Sequence, residues 1–333
     1  MNRFSTNNNF IFLSAERQIL YRSLAERYRL PLHFQPWWLD AVCGNDKWGA
    51  AVVQDGDGGL CGLMPYFLKT RMGIKVLGMP PFTDYLGVWM RYPELPQKPE
   101  RRYAYEHKVM TQLIDQLPAF HFANIQLYPE VESWLPFYWN GYKQTTLYTY
   151  RLEDLSDPGN LLAGAKGSVR TDLKKAEGKV RIEESNDTEA FYDLHALSFQ
   201  KQGLPLPYSK NQLLNLDQAA RKRHRNRLFL AFVEGRTEPV AGLYTVWDDK
   251  TAYFLMHGAD PVFYPAGAAT ALYWHAILAF CATHEQIDFC GSMLAPVESF
   301  TRAFGGVRRP HHRIYKAASK GLYLLSLLTG REY

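Results

Sequence analysis

The chain of 333 residues has only four cysteines, Cys43, Cys61, Cys281 and Cys290, and no two form a CxxC pair. That spacing gives neither a zinc-site pattern nor a disulfide framework, so reduced thiols and a cytoplasmic setting are expected. No stretch reaches the roughly 18 uncharged apolar residues that a membrane span needs. Met1-Asn2-Arg3-Phe4-Ser5-Thr6 lacks the apolar core of a secretory leader. The chain has no P-loop lysine motif, no GxGxxG after a strand, no HExxH and no GxSxG elbow. Those absences argue against nucleotide-loop, dinucleotide, zinc-protease and serine-hydrolase chemistry, and no metal is expected. Charge of one sign is also scarce. A formal net charge of +5 and a pI near 8.8 are too mild to mark a nucleic-acid binder. With no RRM, KH or helix-turn-helix pattern, DNA is not an expected partner.

What the chain does have is a repeat. Leu228 to Val233, Val240 to Trp247 and Thr251 to Met256 are three short β-rich runs separated by turn residues. A breaker cluster, His257-Gly258-Ala259-Asp260-Pro261, follows them. From Pro265 to about His284, the residues Leu272, Tyr273, Ala276, Ile277 and Phe280 recur at helical spacing. Ile287-Asp288-Phe289-Cys290 closes the series as a strand. The first half has the same order. Ala50 to Val53, an Asp55-Gly56 turn, Leu60 to Leu68, Ile74 to Leu77, a helix Arg101 to Leu117 and a strand Ala123 to Leu127 follow one another. Further helices are expected at Glu16–Arg29, Pro36–Ala41, Asp187–Lys201 and Lys210–His224. A unit of this size used twice is one folded module in two copies.

Between the copies, Leu147 to Tyr150 reads as an aromatic strand that gives way to a polar turn by Asp157. The expected division is therefore 1–150 and 151–333. Asn160 to Lys179 reads as a basic helix. Its segment 166–181 holds six basic residues against Asp172 and Glu177. A second basic cluster is Arg221-Lys222-Arg223-His224-Arg225-Asn226-Arg227. Either could receive phosphates or be a solvated helix face. Near the end, basic residues precede Gly321-Leu322-Tyr323-Leu324-Leu325-Ser326-Leu327-Leu328. That segment reads as a terminal packing helix, with contact to a membrane surface as the alternative.

Four ordered pieces carry a family resemblance. They are Ser168-Val169-Arg170-Thr171-Asp172-Leu173-Lys174-Lys175-Ala176, Tyr264-Pro265-Ala266-Gly267 before a helix, Ile287-Asp288-Phe289-Cys290-Gly291-Ser292, and Phe300-Thr301-Arg302-Ala303-Phe304-Gly305-Gly306. Together they resemble the acetyltransferase-like family related to the Fem peptidyltransferases, within the GNAT superfamily. The resemblance implies an α/β (α+β) fold. It consists of two tandem GNAT-like domains, each a mixed, mostly antiparallel sheet flanked by helices.

It also implies an acyl donor and an amine acceptor. In the GNAT fold a helix start offers its N–H groups to the coenzyme A pyrophosphate. Tyr264, Ala266, Gly267 and Ala268 occupy that place here, although the loop lacks the usual Gln or Arg and further glycines. The other reading of these residues is an ordinary helix start in close packing. Acyl transfer needs a base, an oxyanion donor and held substrates. Asp288 is the leading base candidate, Glu298 and His257 the others. Asp288 could instead brace the Gly291-Ser292 turn, Glu298 could simply begin a helix, and His257 could be structural. Arg170, Lys174, Ser292 and Arg302 are candidates for substrate contact. So are Asp84 and Tyr85, in the proline-stiffened loop Pro80-Pro81-Phe82-Thr83-Asp84-Tyr85. In Fem-like proteins that region helps line the acceptor groove; an ordinary turn is the alternative.

The expected function is N-acyl transfer, with acyl-CoA as co-substrate. The acceptor would be an amine of a sugar, peptide or cell-envelope precursor, small or lipid-linked. The alternatives are aminoacyl-tRNA as donor, as in Fem-type enzymes, and a non-catalytic binding protein of the same fold.

Overall fold

The structure, a computed structural model, describes residues 5–45, 47–93, 98–201, 203–319 and 321–322. The expected terminal segment therefore lies outside the described residues from 323 onward. The chain forms two units, Met1–Leu147 with Pro310–Tyr333, and Tyr148–Arg309.

In chain order the first stretch holds α1 (Ser5–Arg27), α2 (Pro36–Cys43), β1 (Trp48–Gln54), β2 (Leu60–Arg71), β3 (Ile74–Gly78), β4 (Trp89–Met90), α3 (Pro99–Ile114), β5 (Phe122–Gln126), α4 (Leu135–Trp139) and β6 (Lys143–Leu152). The second holds α5 (Pro158–Gly164), α6 (Gly167–Ala176), β7 (Val180–Ser185), α7 (Thr188–Lys201), α8 (Lys210–Arg221), β8 (Asn226–Val233), β9 (Ala241–Trp247), β10 (Thr251–Ala259), α9 (Ala268–Cys281), β11 (Gln286–Asp288), α10 (Ala295–Arg302) and β12 (Val307–Ala317).

In the first unit the strands run β1-β2-β3-β5-β12, with β4 beside β2. In the second they run β6-β11-β10-β9-β8-β7. Among the described strands, β3 pairs parallel with β5 and β10 with β11, and Leu86 and Leu127 add an isolated parallel bridge. Each parallel pair is joined through a helix, α3 or α9, as a parallel crossover requires. The other pairs described are antiparallel. The fold is thus two GNAT-like modules with mixed, mostly antiparallel sheets.

The copies exchange their last strands. Arg151 and Leu152 of β6 pair with Asp288 and Ile287 of β11 in the second unit. Residues 313–317 of β12 pair with β5 in the first. The units therefore differ from the division 1–150 and 151–333, because a cut in the sequence cannot represent a strand that crosses over and a second that returns.

Periodicity explains the cores. In the second unit Leu272, Tyr273, Ala276, Ile277 and Phe280 put one face of α9 on the sheet, against Phe229, Leu243, Ala252 and Phe254. Truncating Leu272 to Ala would cost about 2–5 kcal/mol. In the first unit Val109, Met110 and Leu113 of α3 are buried with Leu63 and Leu77.

Several helices differ from expectation: α1 starts at Ser5 rather than Glu16, α4 is additional, and two others change in ways that matter for the site. The basic segment is two helices, because Ala165 is buried with an extended backbone, φ −71° and ψ 151°. The helix expected from Pro265 starts at Ala268, after a 3-10 turn Pro261–Ala266. Gly267 between them takes φ +72°, and a Cβ there would lie 2.4 Å from the Asp172 carbonyl oxygen. Only glycine accepts both the dihedral and the approach.

Candidate functional site

The split between α5 and α6 creates a corner, and α10 is drawn against it. The Lys166 N–H donates to the Ala303 carbonyl at 2.8 Å. Gly305, at φ +83°, passes so close that a Cβ would meet the Gly164 oxygen at 2.7 Å. The Phe300–Gly306 motif is thus what lets the end of α10 reach the start of α6. Between them lies a cleft of about 240 Å³. Lys166, Ser168, Val169 and Asp172 wall it from the α6 side. Thr270 of α9 adds a hydroxyl. Pro296, Ser299, Phe300, Ala303 and Phe304 form the remaining wall. Positions 296, 299, 300 and 303 share one helical face, which explains why they point together.

The cleft carries both charges. The Asp172 carboxylate accepts from Lys175 Nζ at 2.9 Å and from Thr270 Oγ1 at 3.5 Å, and its side chain keeps 30% exposure. The first turn of α6 has no acidic residue, and its N-cap Lys166 makes no side-chain cap bond. Asp172 counted only as an opposing charge in the sequence. Lys166 counted only as one of the six basic residues of 166–181, and Ser168, Thr270 and Ser299 gave no signal of their own. The quoted motif from Ser168 to Ala176 did contain two of the five.

The start of α9 is already occupied by the protein. Gly267 and Ala268 are buried against α6, and the Asp172 carboxylate faces Thr270 in the first turn. An incoming phosphate there would meet like charge. Gly267 packs against the Asp172 backbone, Ala266 is half-buried, and Tyr264 is 56% exposed on the preceding turn. Arg170 is also committed locally. Its guanidinium donates to the carbonyls of Leu162, Ala163 and Ala165 and so caps α5. Lys174 is exposed on α6.

The base candidates fall elsewhere in the second unit. Asp288 is fully buried. Its carboxylate accepts from Arg151 Nε at 2.7 Å, Thr149 Oγ1 at 2.6 Å and the Cys290 N–H at 2.8 Å. Arg151 is only 4% exposed. Such a buried pair, hydrogen-bonded on both oxygens, braces a turn and has no surface on which to meet an ammonium. The turn it braces holds Cys290 at φ +54° and Gly291 at φ +28°. Ser292 Oγ then accepts the Leu294 N–H at 3.1 Å and leads into α10.

Glu298 accepts from Tyr150 OH at 2.5 Å and Arg302 Nε at 2.8 Å. Those bonds, Tyr150 first, hold its carboxyl below the usual range. It is therefore a poor proton acceptor at neutral pH, and Arg302 is its partner. His257, half-buried on β10, stacks on Phe300 at 5.8 Å and 12°. Burial pushes its imidazole down to about 4. Among the described residues, none of Asp288, Glu298 and His257 borders the cleft.

In the first unit Tyr85 is core. It is 1% exposed, with ring contacts to His33, Tyr128 and His311 at 5.8, 5.7 and 5.1 Å. Asp84 is half-buried beside it. The basic run at the end of α8 is offset by acids: Arg221 pairs with Asp217, Arg225 with Asp249 and Arg227 with Glu184. Among the described residues no helix is long and apolar enough to cross a membrane. Nor, among them, are three His, Cys, Asp or Glu residues grouped to hold a metal.

Residues 164–295 match the family described as "Acetyltransferase (GNAT) domain". No curated protein matches the chain by sequence. The fold is similar to the crystal structure of FemX, at 12% identity over 94% of this chain and 98% of that one, TM-score 0.63. It is similar to the C-terminal domain of a putative lysylphosphatidylglycerol synthetase from Agrobacterium fabrum, at 11% identity over 95% and 96%, TM-score 0.52. It is also similar to a tandem GNAT protein from the clavulanic acid biosynthesis pathway, at 11% identity over 94% and 96%, TM-score 0.51.

Proposed function

We propose that this chain, whose residues 164–295 match a GNAT acetyltransferase domain and whose fold is GNAT/Fem-like, is an acyltransferase, and we propose its donor, acceptor class and proton acceptor. The donor is an acyl-CoA, and the acceptor is a primary amine on a sugar, peptide or cell-envelope precursor, lipid-linked or free. The observation that carries this reading is the cleft within and beside the matched domain. Its lining combines the Ser168, Thr270 and Ser299 hydroxyls with the Phe300 and Phe304 rings, which suits an arm of alternating amides and methylenes. Lys166 at its edge suits the developing charge on the carbonyl oxygen.

The reaction forms an N–C bond to the thioester carbonyl and breaks its C–S bond. The ammonium gives up one proton before it attacks, and a second proton from the same nitrogen ends on the departing sulfur, which leaves as the thiol. Asp172 is the carboxylate that borders the cleft, so we assign it to attract the ammonium and accept the first proton. In this reading Asp288 and Glu298 support the site from outside it. A cytoplasmic location accompanies it, in keeping with four cysteines of which no two form a CxxC pair.

The similarity to FemX favours a second donor, aminoacyl-tRNA, over a non-catalytic role. A thermal-shift series separates these readings. At 100-fold over Kd a ligand adds about 2.7 kcal/mol of stability. A shift with acyl-CoA that is absent with aminoacyl-tRNA supports the proposal. The reverse replaces the donor, and no shift with either leaves the non-catalytic reading. Lipid-linked and free amine acceptors are then compared by release of free thiol.

A further inference from the structure

Phe300 stands between the cleft and a set of rings that do not border it. It sits on the cleft face of α10 with Pro296, Ser299 and Ala303. Its ring also meets His257 at 5.8 Å, Tyr273 edge-on at 4.9 Å and Phe304 at 5.4 Å. Among the described residues neither His257 nor Tyr273 lines the cleft. Three aromatic neighbours fix the ring in one orientation, and such contacts resist rotamer change. The opposite face of the helix is fastened as well, because Glu298 holds Tyr150 OH and Arg302 together. The wall is therefore held from both sides, and Phe300 lies between the cleft and the rings of His257 and Tyr273.

We infer that Phe300 determines the length of the acyl group, and that the wild-type chain takes a short acyl-CoA. The inference rests on the donor reading above and adds the substrate class to it. A short acyl group ends against the Phe300 ring. A longer one would have to displace a ring packed on His257, Tyr273 and Phe304. Without that ring, the space in front of His257 and Tyr273 would open to an apolar chain.

The test is a series of acetyl-, butyryl-, hexanoyl- and octanoyl-CoA, titrated against the full chain and against Phe300→Ala and Phe300→Leu. Wild type is expected to bind acetyl-CoA best and to weaken with length. Phe300→Ala is expected to gain about fourfold in affinity for each further methylene it accommodates, with Phe300→Leu intermediate. Because the Phe300 ring also lines the donor cleft, acetyl-CoA affinity should fall in both variants, and the readout is the affinity of each longer acyl-CoA relative to acetyl-CoA within the same variant. Phe300→Leu keeps an apolar side chain that is shorter than the ring, so it serves if the alanine variant does not fold. The same order of affinities in wild type and both variants, with acetyl-CoA still bound, overturns the role of Phe300 and leaves the donor reading standing. Failure of every acyl-CoA to bind wild type overturns the donor reading, and this inference with it.

Discussion

At the scale of single residues, the contrast between Asp172 and Asp288 separates chemistry from support. Asp172 borders the cleft with part of its carboxylate exposed, whereas Asp288 is sealed against Arg151. Asp172→Asn should lower kcat/KM by about 100-fold or more, the usual worth of a general base, while the urea midpoint stays near wild type. Asp288→Asn should do the opposite. It leaves a buried guanidinium without its counter-charge, at a cost on the order of 3 kcal/mol in urea unfolding. Full stability with lost turnover in Asp288→Asn would return Asp288 to the role of base. Two histidines add a pH dependence. Burial holds His257 at about 4 and His195 at about 3. Both folded-state values lie below the unfolded value near 6.5. Between those limits the unfolded chain binds protons that the native chain does not, so stability falls as pH drops below about 6.5. Each histidine contributes a slope on the order of 1 kcal/mol per pH unit. Denaturant midpoints measured from pH 7 to 4.5 should decline, and His195→Gln should flatten the decline.

At the scale of elements, what was legible depended on periodicity. The β8–β9–β10–α9–β11 series and its counterpart in the first half could be read because alternating and helical patterns repeat in a fixed order. The cleft could not be read. It depends on the break at Ala165 and on two glycines whose partners are distant carbonyls, Asp172 for Gly267 and Gly164 for Gly305. Nothing local marks such a meeting, and so Arg170 reads as a phosphate contact when it caps α5. Asp288 shows the same limit, because Arg151 lies 137 residues away in the chain. The close approach is itself testable. Gly267→Ala adds a Cβ at positive φ against backbone, so it should destabilise by more than the ~1 kcal/mol of an ordinary Gly→Ala strain. It should also move α6 and weaken donor binding. Gly235→Ala, at φ +78° with nothing within 4 Å, isolates the dihedral cost alone. Equal losses in the two variants would mean that the α6 contact contributes nothing.

At the scale of the whole molecule, the exchange of β6 and β12 makes the two copies interdependent. Residues 1–150 by themselves would leave β5 without Arg313–Ala317, an open edge with unpaired N–H and C=O groups. Residues 151–333 would keep Arg151 and Leu152 but lose Thr149, whose hydroxyl donates to Asp288, and Tyr150, whose hydroxyl holds Glu298. Neither half is then a complete unit, although each contains a complete copy of the repeat. The two halves produced separately should therefore be poorly soluble or lack a cooperative urea transition. Produced together, they should assemble and recover one, because β12 from the second half supplies the missing strand of the first. Restoring residues 310–317 to the first half through a flexible linker should rescue it without the partner. Should 1–150 alone unfold cooperatively at the midpoint of the full chain, β5 does not need its exchanged neighbour, and the repeat would be two self-sufficient domains after all.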